Sequence, residues 1–168
     1  RVLHLILQLR KLTGYQKTVC YILGVFVSIF SLYTAAFGVL APFLQRSIHV
    51  AALLPMVFML YPASKKHSPK DHFTLLDAAL AVLSVIPCIY VILHNEDLQT
   101  RMVFVTHLTT AEMVMGIILI ICMIEAVRRS VSGVMAGLVV IGLAYLYVGP
   151  FLGGLLCHKG LSFERMIE

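Results

Sequence analysis

The sequence predicts an all-α integral membrane protein, a bundle of about five transmembrane helices behind an N-terminal amphipathic arm helix that lies in the interface. Composition and pattern both point there. Of 168 residues, 60% are hydrophobic and only 12% are charged, and the mean hydropathy is +0.96. A water-soluble domain carries about a quarter charged residues, so this chain cannot hide its apolar surface in water. Several apolar runs reach or approach the roughly 20 residues that a bilayer's hydrocarbon core demands. Lys and Arg gather in the short gaps between those runs, so the net charge of +5 is explained by loops facing anionic lipid and calls for no nucleic-acid partner.

The elements follow in order. Residues 1–17 place Arg1, His4, Gln8, Lys11 and Tyr15 at helical spacing with leucines on the other faces, which predicts an arm lying along the membrane. Gly14 is a natural bend before the first span. The first span covers about Thr18 to Ala41 and ends at Pro42; the second covers about Ser47 to Tyr61 and stops at Pro62. That second span would reach only roughly 22 Å, short of the roughly 30 Å core. The third covers about Leu75 to Leu93, the fourth about His107 to Val127 and the fifth about Ser132 to Leu156. Residues 18–156 thus form the membrane bundle. Residues 157–168 begin a linker toward a following large membrane domain, because the chain starts at Arg1 rather than Met and "SFERMIE" looks like the start of an element.

The loops set the orientation. The arm contributes Arg10, Lys11 and Lys17, the second loop reads "SKKHSPKDH", and Arg128 and Arg129 fall in the fourth. The intervening loops hold Arg46 alone and the acidic "HNEDLQTR". Basic and weaker segments alternate, which places the N-terminus in the cytoplasm and the C-terminus outside.

Few residues could carry chemistry. Glu125 lies three and four residues before Arg128 and Arg129, so it can pair with either across one helical turn. The trio reads as an anchor that fixes a hairpin's orientation, with Ser130, Ser132 and Gly133 supplying the turn and the next helix's cap. Arg46 and His49 begin the second span, and Asp77 begins the third. Glu112, a turn or so inside the fourth span, is expected to be the most buried acid, with Arg46 or His49 as its partner. On the fifth span Gly133, Gly137 and Ala144 form one small-residue stripe and Gly142, Gly149 and Gly153 another. Small residues let helices approach closely in lipid, so either one stripe packs internally and the other against a partner helix, or both are internal, or one faces lipid; Pro150 would kink or end the helix.

The four cysteines, Cys20, Cys88, Cys122 and Cys157, sit singly without CxxC spacing and read as packing residues. No phosphate loop, HExxH or nucleophile elbow occurs, so an enzyme is not expected. His49, His94 and His107 all approach the outer surface, and two of them ligating haem would make a membrane redox subunit. A third possibility is a structural assembly or anchoring factor.

"RSIH" at Arg46 to His49, "MLYPASKK" at Met59 to Lys66, "IEAVRRSVSG" at Ile124 to Gly133 and "HKGLSFERMI" at His158 to Ile167 appear in that order. Together they resemble the small-subunit portion of fused permeases from TAXI-type TRAP transporters, the tripartite ATP-independent periplasmic systems of prokaryotes. The resemblance covers most of the chain, and its most specific piece is the acid followed by paired arginines and serine-glycine. It implies a fixed scaffold in a secondary active symporter of the inner membrane. A large membrane subunit would hold the substrate and the sodium or proton sites, and a periplasmic solute-binding protein would deliver an organic acid or amino acid. The sequence lacks the discontinuous Gly-rich hairpins that build such midplane sites, so no substrate ligand and no cofactor is expected among these residues.

Overall fold

A computed structural model describes residues 10, 12, 14–38, 40–63, 74–100 and 108–149. They form an all-α membrane fold, and four of the helices are long and apolar enough to cross a bilayer. The first part of the arm, and Pro150, Gly153 and Cys157 with the linker, lie outside the described residues. The chain divides into two compact units, residues 1–99 and 100–168.

In the first unit, α1 spans Tyr15–Phe37, α2 Pro42–Leu60 and α3 Leu75–Leu93. Gly14 precedes α1 at φ 59°, the left-handed region that glycine adopts without steric cost, so the chain bends where expected. Helix α1 therefore begins at Tyr15, taking in the last residues assigned to the arm, and it ends at Phe37 rather than at Pro42. Pro42 opens α2 instead. It sits at the first helical position, where its missing N–H has no intrahelical partner to lose and its fixed φ suits the helix. The 19 residues of α2 then reach about 28 Å, which removes the expected shortfall in length. Helix α3 has the bounds read from the sequence. After His94, "NEDLQT" is not a plain loop but a short helix, α4 (Asn95–Thr100).

Helix α2 packs against α1 on one side and α3 on the other. Half-buried or buried positions on α1 recur as Val19, Leu23, Val27, Phe30 and Thr34, one stripe of a 3.6-residue period. On α3 the buried stripe is Asp77, Ser84, Pro87 and Cys88; on α2, which packs against it, the buried residues are Ala52, Leu54, Pro55, Phe58 and Met59. Pro55 and Pro87 are thus helix-interior prolines buried in a protein seam, where neighbouring side chains rather than lipid cover the backbone they loosen. Ser84 turns its hydroxyl to the Ala81 carbonyl at 2.8 Å and so adds no unsatisfied polar group to the seam.

The second unit holds α5 (Thr110–Ser130) and α6 (Gly133–Val148), packed together as a hairpin. Thr109 and Glu112 form a capping box at the start of α5, and Ser132 caps α6 by accepting from the Met135 N–H at 3.2 Å. Cys122, Ala126 and Arg129 are the buried face of α5, and Ala136 the buried residue of α6.

Candidate functional site

Two charge clusters and one polar cluster stand out against the apolar helices. The first is the hairpin corner. Glu125 accepts from Arg128 Nε at 2.7 Å and Nη2 at 2.6 Å, and from Arg129 Nε at 2.7 Å. The carboxylate therefore meets both arginines at once rather than choosing between them. Their surroundings differ: the Arg128 side chain is 45% exposed and that of Arg129 0%. Arg129 lies inside the α5–α6 hairpin beside the turn, while Arg128 reaches outward, as a snorkelling arginine at a helix end does. The basic last turn also complements the negative end of the helix dipole. Ser130 hydrogen-bonds the Ala126 carbonyl at 2.7 Å, and with the Ser132 cap this makes a short corner held by side-chain bonds, although the buried Arg129 Nη2 finds no acceptor among the described residues.

The second cluster was not legible as such in the sequence. Arg10 Nη2 donates to Asp77 Oδ2 at 2.8 Å, and both side chains are 0% exposed. Thr74, the residue that precedes α3, gives its hydroxyl to the same carboxylate oxygen. The Arg10 N–H also donates to the Leu60 carbonyl at 2.9 Å, at the end of α2. One arginine thus ties the chain ahead of α1 to the end of α2 and the start of α3. A charge pair taken out of water is tolerable only when each partner is matched and further hydrogen-bonded, and here the carboxylate has that support.

The third cluster lies between α1 and α2. His49 Nδ1 is 2.9 Å from the Gln45 carbonyl, and Nε2 is 3.1 Å from Ser31 Oγ. A carbonyl can only accept, so Nδ1 carries a proton, and the serine hydroxyl, which can donate or accept, matches Nε2. Phe30 meets the ring edge-on at a centroid distance of 5.0 Å. His94 is held in its own way, Nδ1 to the Tyr90 carbonyl at 3.1 Å and stacked on the Tyr90 ring. Nδ1 of each ring is engaged by a carbonyl of its own helix, and the His49 ring also meets Ser31 and Phe30 of α1; His107 lies outside the described residues.

Glu112 departs from expectation. It sits at the third position of α5, half-buried, and accepts from the Thr109 N–H at 2.7 Å. Its role is to cap its own helix, and the fully buried acid is Asp77. The signal was present, since Thr109 followed three residues later by Glu112 spells a capping box. Arg46 is exposed on the second turn of α2.

On α6 the expected division into an inner and an outer stripe does not appear. The positions turned inward are Ala136, Gly137, Leu143, Leu146 and Gly149, a mixture of both stripes with larger residues. Gly133, Gly142 and Ala144 are exposed, and a Cβ added at Gly133, Gly137 or Gly142 would meet nothing within 4 Å. The outer surface of α6 is apolar, with Val134, Met135, Leu138, Ile141 and Tyr147 exposed around Gly142.

Among the described residues no group of three or more His, Cys, Asp or Glu is placed to hold a metal ion. Compared with family models, curated proteins and solved structures, the chain has no match.

Proposed function

We propose that this chain is the scaffold portion of a TAXI-type TRAP secondary transporter. It braces a large multi-span transport subunit, which holds the substrate and the sodium or proton that drives symport. A periplasmic solute-binding protein delivers the organic acid or amino acid. The chain itself is not an enzyme, and it binds neither substrate nor cofactor. It sits in a prokaryotic inner membrane with the N-terminus cytoplasmic and the C-terminus periplasmic. The observation that supports this reading most is the Glu125–Arg128–Arg129 corner, where one carboxylate binds both arginines, beside an α6 whose outer face is apolar and exposes Gly142. A brace needs a stiff hairpin and a surface that a neighbouring helix can approach closely. The basic corner and the Arg10 end agree with a cytoplasmic placement under the positive-inside bias.

The test is reconstitution. Proteoliposomes holding this chain alone should show no uptake under an ion gradient. Adding the large subunit and the solute-binding protein should give gradient-dependent uptake that falls to background when this chain is left out. Uptake by the chain alone would overturn the proposal. So would a haem Soret band in the purified protein, which would make it a redox subunit.

A further inference from the structure

The scaffold reading makes no use of a groove of about 650 Å³ on the first unit. Its long wall is α1, where Lys17, Tyr21, Gly24, Val25, Ile29 and Leu32 recur at helical spacing, and its Lys17 end is closed by Arg10 and Leu60. Two observations say what would fill it. The first is charge. Lys17 is exposed and makes no ion pair among the described residues, while Asp77, the acid bonded to Arg10, is already engaged by Arg10 and Thr74. Behind the same end, Arg10 Nε and Nη1 are buried with no hydrogen-bond acceptor among the described residues. That end therefore has cationic donors in excess of acceptors. The second is length and polarity. From Lys17 to Leu32 the helix rises about 22 Å, which matches one leaflet, headgroups included, of a bilayer about 40–45 Å thick. Along that distance the groove is apolar, and the Ser28 hydroxyl donates back to the Gly24 carbonyl at 2.9 Å.

We infer that this groove binds one anionic phospholipid, with its phosphodiester at Lys17 and an acyl chain lying along Tyr21, Val25, Ile29 and Leu32. A polar solute would find no partners beyond the first turn, and a neutral apolar one would leave the cationic end unmatched.

Native mass spectrometry of the full chain from micelles doped equally with phosphatidylglycerol and phosphatidylcholine tests this. The wild type should retain a single phosphatidylglycerol in about fivefold preference, the effect of one interfacial lysine. Lys17→Gln should abolish the preference. Gly24→Phe should lower retention of both lipids without unfolding the protein, because a side chain at Gly24 points into open space. Circular dichroism confirms that each variant is folded. Equal retention of both lipids by the wild type, an unchanged preference in Lys17→Gln, or unchanged retention in a folded Gly24→Phe would each overturn the inference. None of these readouts involves transport, so the result is independent of the scaffold proposal.

Discussion

Arg10 and Asp77 are 67 residues apart in sequence, yet their side chains meet at 2.8 Å, both fully buried. Removing one partner of a buried pair leaves the other charge uncompensated, at a cost of about 3–5 kcal/mol. Arg10→Ala and Asp77→Asn should each lower thermal stability in detergent sharply. The double variant Arg10→Met/Asp77→Leu should recover most of the loss, since an apolar pair leaves no stranded charge. Equal melting temperatures for wild type and Asp77→Asn would show that the pair contributes nothing.

The corner arginines should separate in the same assay. Arg129 is buried and Arg128 nearly half exposed, though both bind Glu125. Exposed pairs contribute about 0–1 kcal/mol. Arg128→Ala should therefore be mild and Arg129→Ala severe, and Glu125→Gln should resemble Arg129→Ala because it strands the buried guanidinium. The order of the three melting temperatures checks this.

Gly142 is exposed on α6 with open space where a side chain would go. Gly142→Leu should leave the chain's own stability unchanged and weaken co-purification with the proposed large subunit by about tenfold or more, because close helix approach in lipid depends on small residues. Undiminished co-purification would mean that this face meets lipid.

Helix caps predict a smaller effect. Ser132→Ala removes the acceptor for the Met135 N–H and should cost about 1 kcal/mol. Ser132→Asp, which restores an acceptor at the cap, should recover most of it in the same thermal melt.

Much of the fold was legible because lipid imposes length and apolarity on every span. Helix α3 carries the bounds read from its sequence, and the cap at Ser132 and the Glu125 pairing follow from local spacing alone. The misreadings cluster at proline. Pro42 reads as the end of α1 in the sequence but starts α2, since the same ring that ends one helix suits the first turn of another. Depth along a hydropathy profile makes Glu112 look buried, but says nothing of a side chain folding back onto its own N-terminus. Arg10 with Asp77 could not be found by spacing, for no period links residues on separate segments. An acid at the opening of an otherwise apolar span does announce that a cation must exist somewhere.

Translation order gives the Arg10–Asp77 contact a further meaning. At about 5–20 residues per second, Asp77 leaves the ribosome roughly 3–13 s after Arg10. During that interval the arginine has no acid, and the nascent α3 can settle in lipid as a neutralised segment only if the older chain is still waiting at the interface when it arrives. The N-terminal segment would then act as a resident chaperone for its own third span, and a ribosome-bound chain carrying Arg10→Ala should stall with that span outside the membrane.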